Sequence, residues 1–274
     1  MIDRERTAPP AEGRADAIRD EAREQWGHDP AGGLAAGDEP LGSRDSFERV
    51  ERYRYQEQPW MHDTFRFERF AGERVLEVGV GLGTDHIQFA RAGAEMTGVD
   101  LTPRCVELTR ARLEQEGLRP NVSVMDAESL SFDDDSFDAV YSFGVLHHIP
   151  HSEAAFREIR RVLRPGGTFL GALYNKHSAF YARVLAGRYA RGRFRHESIE
   201  ETRARIEYST GDATPHVRLF TRRELAGALR DAGFERVTIR KRHLGLGRHR
   251  NLVPARLDEL GGNVAGWYLV HDAA

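Results

Sequence analysis

Cysteine is nearly absent from this sequence. Among its 274 residues only Cys105 carries a thiol, which excludes an intrachain disulfide and a metal cluster built on cysteines. Because Cys105 lies within a predicted helix, we interpret it as a small packing residue rather than a nucleophile. Three neighbouring histidines lack a carboxylate or cysteine partner at a useful spacing. We therefore expect no bound metal at His147, His148 and His151.

Long apolar runs and a strong positive charge are also missing. No stretch approaches the roughly 18 consecutive apolar residues that a membrane-spanning helix requires, and the N-terminus lacks the pattern of a secretion signal. We therefore expect a cytoplasmic protein without a membrane partner, and no feature indicates its oligomeric state. The net charge of -3 disfavours a dedicated nucleic-acid-binding protein. Basic clusters within 188–195 and 240–250 are most simply solvated faces, with an anionic substrate such as RNA as the alternative.

The order of the predicted elements indicates one large α/β domain. From Arg74 onward, short apolar runs alternate with helical patterns, which is typical of a parallel sheet covered by helices on both faces. One helix is predicted after the first strand and ends at residue 92, and two more are predicted over 103–115 and 153–163. A fourth begins at a capping-box pattern formed by Thr221 and Glu224 and ends at Gly233. Strands are predicted at 75–78, 96–99, 122–125, 137–142, 168–173, 237–240 and 267–271. The last two are expected to form an antiparallel hairpin at the edge of a mostly parallel, seven-stranded sheet.

The sequence divides into four parts on this basis. Residues 1–70 form an N-terminal extension, in which a helix is predicted over 16–26 and aromatic residues over 47–70 are expected to pack on the domain. The first dozen residues and Ala31 to Gly42 are polar or rich in Gly and Pro, which predicts mobile segments. Residues 71–175 form the core, 176–218 a basic insert that is too long for a plain connector, and 219–274 complete the same domain.

The strongest motif is an apolar strand that runs into a glycine-rich turn at the mouth of a helix, Val75 to Asp85. Ligands of open α/β sheets bind at the carboxyl ends of the strands, and glycines let the backbone approach them. Dinucleotide-binding proteins share this turn, but here Thr84 stands where their third glycine belongs. Glu77 would repel a pyrophosphate and attract a cationic amino group or sulfonium. The motif therefore favours a sulfonium cofactor.

Two further carboxylates follow the next strands. Asp100 ends the second predicted strand, where it can accept hydrogen bonds from both hydroxyls of a ribose. Asp126 follows the third, where it can accept from the amino group of an adenine. Both indicate an adenosine-containing cofactor without choosing its type.

As a set, these residues resemble the class I methyltransferases that depend on S-adenosyl-L-methionine, particularly the ubiquinone/menaquinone-biosynthesis type (methyltransferase type 11). The shared motifs occur in the family's order: Glu77-Val-Gly-Val-Gly-Leu-Gly, Gly98-Val-Asp100, Asp126-Ala127, Ser136-Phe-Asp-Ala-Val, Val145-Leu-His-His148 and Arg161-Val-Leu-Arg-Pro-Gly-Gly167. Upstream, Trp26 to Gly32, Arg52-Tyr53 and Pro59 resemble the lid of bacterial members often placed in specialised metabolism. That lid usually has Asn-Pro-Cys-Gly where this chain reads Asp29-Pro30-Ala31-Gly32.

The resemblance implies a Rossmann-like, doubly wound fold with an N-terminal lid and an insert after strand 5. It implies S-adenosyl-L-methionine as cofactor and S-adenosyl-L-homocysteine as product. Asp100 would bind the ribose, with Leu101 beside it, and Asp126 and Ala127 the adenine. The methionine part would be bordered by Glu77, Gly79, Gly81, Gly83, Thr84, Ser142, Phe143 and Gly144.

We therefore expect in-line methyl transfer to an oxygen, nitrogen or carbon atom of a small molecule, as in natural-product biosynthesis. His147 could be a general base or could only shape the pocket. The substrate pocket is predicted to include Tyr53, Tyr55, Trp60, His147 and Tyr174. The alternatives are an RNA methyltransferase, a protein that binds S-adenosylmethionine without methylating, and a nicotinamide oxidoreductase, which Glu77 and Thr84 disfavour.

Overall fold

The computed structural model describes residues 12–177, 186–187, 189–190, 216–242 and 267–273. Most of the predicted insert 176–218 lies outside the described residues, as do residues 1–11. Within the described part of the chain, no helix combines the length and the apolarity that crossing a bilayer demands.

A mixed sheet forms the centre of the domain. Its strands lie in the order β3-β2-β1-β4-β5-β7-β6. The first five pair in parallel, whereas β7 is antiparallel to both β5 and β6. The strands are β1 (Arg74–Val78), β2 (Glu95–Asp100), β3 (Val122–Val124), β4 (Phe137–Phe143), β5 (Leu163–Tyr174), β6 (Thr238–Arg242) and β7 (Trp267–Ala273). The predicted Rossmann-like α/β fold is confirmed.

The chain reverses its direction of progress across the sheet between β1 and β4. From β1 it moves outward to β2 and β3, and then returns to the other side of β1 at β4. In open α/β sheets such a switch point leaves a crevice at the carboxyl ends of the two central strands, because the connecting helices diverge to opposite faces. The topology therefore places a ligand crevice at the ends of β1 and β4.

Seven α-helices are described alongside the sheet: α1 (Glu12–His28), α2 (Arg44–Glu57), α3 (Trp60–Phe65), α4 (His86–Arg91), α5 (Pro103–Gln115), α6 (Ser152–Val162) and α7 (Arg222–Asp231). In α6 the buried side chains Ala155, Phe156, Ile159 and Val162 share one face, as the helical period requires. The capping box predicted at α7 is confirmed, since Thr221 and Glu224 exchange side-chain and backbone hydrogen bonds of 2.7 and 3.1 Å.

Aromatic side chains of the N-terminal extension cover one face of the sheet, as expected from their density. Phe89 of α4 lies at the centre of this group, with ring centroids 4.7 Å from Phe67, 5.5 Å from Phe70 and 5.1 Å from Tyr141. All four rings are almost completely buried. Edge-to-face packing of this kind adds to the burial of apolar area. The extension is therefore part of the hydrophobic core.

Ala31 to Gly42 packs on the domain, contrary to the expectation that it is mobile. It contains a short 3-10 helix, Gly33–Ala36. Ala36 is buried in a cluster with Val50, Leu82 and Leu108. The apolar residues of this segment are spaced irregularly, so no sequence period indicated that they share a face.

Phe89→Ala should destabilise the protein by about 3–5 kcal/mol, because it removes a fully buried ring from between three others. Equilibrium denaturation in urea measures the effect. Tyr53→Ala is the matched control: Tyr53 is 53% exposed, so its loss should change stability by less than about 0.5 kcal/mol. Equal stabilities of the two variants would contradict the assignment of Phe89 and its aromatic neighbours to the core.

Candidate functional site

A cavity of about 360 Å³ lies at the carboxyl ends of β1, β2 and β4. Its volume falls within the range of small-molecule sites. Helices α1 and α2 close it from outside with Ile18, Arg19, Ala22, Trp26, Val50, Tyr53 and Arg54. Of the predicted site residues, the cavity wall contains Tyr53, Glu77, Gly79, Gly81, Thr84, Asp100, Leu101, Asp126, Ala127, Phe143 and Gly144.

The glycine-rich turn forms the floor between β1 and α4. Gly79, Gly81 and Gly83 all have positive φ angles of 82°, 53° and 68°, which favour glycine. A Cβ atom at Gly81 would meet nothing within 4 Å, so the backbone there is open to the cavity. At Gly83, in contrast, a Cβ would lie 2.9 Å from Thr109 Cγ2 of α5. Gly83 does not line the cavity, because its surroundings are those of a helix-packing glycine.

Asp100 is held by the turn beside it. Its Oδ2 accepts a hydrogen bond from the Gly81 N–H at 3.0 Å, and its Oδ1 accepts from the Thr102 N–H at 2.9 Å. Burial raises the pKa of Asp100, and these two hydrogen bonds act against the rise. A carboxylate offers about four acceptor positions, so both oxygens can accept further hydrogen bonds from a ligand.

Glu77 is a buried carboxylate at the end of β1. Its Oε2 lies 3.0 Å from Nδ1 of His86, and its side chain is 4% exposed. Burial raises the pKa of Glu77 well above its usual value, and the negative charges of Asp85 and Asp100 raise it further, whereas Arg54 lowers it. A cation placed next to this carboxyl group would stabilise its ionised form.

Asp85 connects the turn to α2 and β4. Its carboxylate accepts hydrogen bonds from Tyr55 Oη at 2.9 Å and Tyr141 Oη at 2.8 Å, and from Arg54 through Nε at 3.2 Å and Nη2. The Arg54 guanidinium lies 4.2 Å from the centre of the Phe143 ring, a cation–π contact. Arg54 and Asp85 both line the cavity, and the sequence reasoning assigned neither a role.

At the opposite end of the cavity, α1 is tied to the loop after β3. Arg19 Nε lies 2.9 Å from Asp126 Oδ2, and its Nη2 pairs with Glu128. Glu128 also accepts from the His151 backbone N–H at 3.0 Å. Arg19 was missed because nothing in the sequence of α1 indicates which residue crosses to a loop more than a hundred positions away.

Comparison with known proteins agrees with this geometry. The family described as "Methyltransferase domain" matches residues 76–171, which span β1 to the middle of β5 and the glycine-rich turn. Residues 76–171 are therefore similar to a methyltransferase domain.

Two curated relatives are similar to part of the chain. The chain is 39% identical over 105 residues to the methyltransferase GfsG of Streptomyces halstedii, which is 37% of this chain and 38% of that protein. It is 35% identical over 118 residues to the ubiquinone biosynthesis O-methyltransferase of Xanthomonas axonopodis pv. citri, 43% of this chain and 49% of that protein. The chain thus matches less than half the length of these relatives.

Solved structures share the fold at low sequence identity. A methyltransferase in complex with the Trm112 activator of Haloferax volcanii superimposes with a TM-score of 0.55 and 20% identity, over 84% of this chain and 96% of that one. The [4+2]-cyclase SpnF superimposes with a TM-score of 0.52 and 20% identity, over 95% of this chain and 93% of that one. These likenesses show the fold alone.

Five other predicted site residues do not line the cavity. Ser142 is buried and donates to the Val78 carbonyl at 2.9 Å, and the Tyr55 hydroxyl is held by Asp85. The Trp60 ring centroid lies 6.3 Å from that of Phe143, and the ring packs in the aromatic core. His147 is fully buried, with its ring 3.9 Å from that of Tyr174. Instead, the neighbouring His148 lies on the cavity wall.

Arg19→Ala should loosen α1 over the cavity, because it removes the contacts to Asp126 and Glu128. We expect amide hydrogen exchange in α1 to accelerate a few-fold to about tenfold while exchange in the sheet is unchanged. Arg23→Ala is the matched control, since Arg23 pairs with the exposed Asp20 one turn away in the same helix. Identical exchange in the two variants would show that Arg19 does not hold the helix.

Proposed function

We propose that the protein transfers a methyl group from S-adenosyl-L-methionine to a small-molecule acceptor, by direct in-line attack of an oxygen, nitrogen or carbon nucleophile. The observation that carries the proposal is that the buried carboxylate of Glu77 and the half-buried carboxylate of Asp100 line one cavity together with the open backbone of Gly81. When bound, the cofactor supplies a methyl group on a positively charged sulfur and leaves as S-adenosyl-L-homocysteine.

The residues of the cavity fit the parts of this cofactor. Glu77 offers a negative charge to its cationic amino group, and Arg54 on the facing wall offers a positive charge to its carboxylate. Asp100 has acceptor positions for the two ribose hydroxyls. Asp126 and Ala127 border the place for adenine, under α1. A pyrophosphate would instead meet the carboxylates of Glu77, Asp100 and Asp126, so the same wall disfavours a dinucleotide.

The chain's part in the reaction is to orient the two reactants and exclude water. Proximity and desolvation account for most of the acceleration expected of such a transfer. The remaining wall next to Phe143 and Gly144 is mainly apolar and includes Trp26, Val145 and Ile149. An apolar or aromatic acceptor of modest size suits this wall, and it supports a small molecule over RNA.

We propose His148, rather than His147, as the side chain that takes a proton from a hydroxyl or amine acceptor. Its Nδ1 lies 2.8 Å from the His216 carbonyl oxygen, to which an Nδ1–H donates, so Nε2 is the acceptor nitrogen of the neutral ring. Burial lowers the pKa of His148 to about 4, which keeps the ring neutral at physiological pH.

A role in natural-product biosynthesis is our proposal for the metabolic setting. It rests on the resemblance of the lid region and on the apolar wall, and the matched ubiquinone biosynthesis O-methyltransferase is itself named for a small-molecule pathway. The second candidate is a protein that uses the cofactor pocket without methyl transfer. The likeness to a [4+2]-cyclase favours testing it, because this fold hosts more than one chemistry.

Asp100→Ala and Glu77→Ala should each weaken S-adenosylmethionine binding by about tenfold or more, equivalent to about 1.4 kcal/mol. Each substitution removes a carboxylate that we assign to a polar group of the cofactor. Isothermal titration calorimetry measures the affinity, and Asp133→Ala on an exposed turn is the control that should bind like the wild type. Unchanged affinity in both site variants would refute the cofactor assignment.

Methyl transfer itself is tested with the labelled methyl group of the cofactor and a panel of phenols, amines and RNA. We expect incorporation into small molecules that is insensitive to salt, whereas an RNA substrate would show steep salt dependence.

His148→Asn should lower kcat for a hydroxyl acceptor by about a hundredfold, with an unchanged affinity for the cofactor. A variant with full kcat would exclude His148 as the base.

A further inference from the structure

His86 lies directly behind the carboxylate of Glu77. It is the first residue of α4, and its side chain is 1% exposed. Its Nδ1 is 3.0 Å from Glu77 Oε2. Glu77 lines the cavity, but His86 does not. His86 can therefore act on a ligand only through Glu77.

The position of the His86 ring is fixed by the neighbouring strand. Gly98 of β2 faces it, and a Cβ atom at Gly98 would lie 3.0 Å from His86 Cε1 and 2.6 Å from Val80 Cγ1. The φ angle of Gly98 is not among the positive ones, so close approach rather than backbone conformation is what requires a glycine there. The ring thus occupies a space that the sheet leaves open for it.

The charged and titratable groups around Glu77 come from four elements. Asp85 precedes α4, Arg54 comes from α2, Asp100 ends β2 and Tyr141 lies on β4. The two carboxylates disfavour a charge on Glu77, and Arg54 favours it. Burial lowers the pKa of His86 to about 4, so its ring is neutral at physiological pH.

A neutral imidazole nitrogen suits this position for a chemical reason. In one tautomer Nδ1 carries a proton and donates to a carboxylate, and in the other it accepts from a carboxylic acid. The contact to Glu77 Oε2 can therefore persist whether Glu77 is charged or protonated. An aliphatic side chain in the same place could support neither form.

We propose that His86 is a positioning residue for the cation of the cofactor, which it orients by holding one oxygen of Glu77 so that the carboxylate faces the cavity. This inference rests on the function proposed above. The proposal also accounts for a proton. Where Glu77 is protonated in the free protein, binding of the cation releases that proton to solvent. Glu77 is then ionised, and the His86 Nδ1–H donates a hydrogen bond to it.

The direction of the pH dependence follows from this balance. The cofactor's cation binds the ionised form of Glu77, so affinity should increase as pH rises towards the elevated pKa of Glu77 and level off above it. Loss of the donor at position 86 removes a stabilising contact to the ionised form. The pKa of Glu77 should then rise further, and the plateau should move to higher pH.

The test is titration calorimetry of the full chain with S-adenosylmethionine across pH, in two buffers of different ionisation enthalpy. His86→Asn places an amide nitrogen at the same number of bonds from Cβ as Nδ1, so its affinity should stay within about threefold of wild type. His86→Leu should bind about tenfold more weakly at neutral pH, with its plateau shifted upward and with a larger proton release. Asn restores the affinity for S-adenosylmethionine only if the hydrogen bond from position 86 to Glu77 is required.

A double-mutant cycle separates positioning from general damage. In a Glu77→Gln background, which has no proton to release, His86→Leu should cause little further loss of affinity and the pH dependence should disappear. Thermal denaturation verifies that each variant folds. If His86→Leu does not fold, His86→Gln replaces it, because its amide lies one bond too far and should weaken binding in the same way.

The outcomes distinguish the two levels of the proposal. Failure of the wild type to bind S-adenosylmethionine would overturn the proposed function. Wild-type binding together with the same affinity and the same pH profile in His86→Leu, or equal loss in the Asn and Leu variants, would overturn the role of His86 and leave the proposed function standing.

Discussion

The carboxylate of Asp85 ties the N-terminal extension to the sheet. It is 5% exposed and accepts hydrogen bonds from Arg54 and Tyr55 of α2 and from Tyr141 of β4. A buried charge without such partners would cost several kcal/mol, so the turn, the helix and the strand stabilise one another through Asp85. The position of Arg54 on the cavity wall therefore depends on how α2 packs against Asp85 and Phe143.

The two ends of the cavity are built on different physical principles. At the methionine end, buried carboxylates and one arginine are held by fixed hydrogen bonds within the core. At the adenine end, the cover is α1, which has only three buried residues and is joined to the loop after β3 through Arg19. The first end is suited to orienting charges, and the second is covered by a helix that is less deeply buried.

Local signals predicted most of the α/β core. The period of α6, the capping box of α7 and the glycine-rich turn each depend on residues close in sequence, so they are readable without a structure. Contacts between distant segments were not readable. Arg19 and Arg54 act on carboxylates from other elements, and no spacing within the chain indicates those pairs. His147 and His148 show a further limit: β4 ends at Phe143, and the His148 N–H donates to the Val145 carbonyl in a turn, so strand alternation no longer predicts which ring faces the cavity.

The central claim is that the crevice between β1 and β4 binds a sulfonium cofactor. Titration of the wild-type chain with S-adenosyl-L-methionine, S-adenosyl-L-homocysteine and a reduced nicotinamide dinucleotide, by calorimetry under one set of conditions, tests it most directly. We expect one site per chain for the first two ligands, which compete with each other, and no heat of binding for the dinucleotide. Binding of the dinucleotide alone would contradict it.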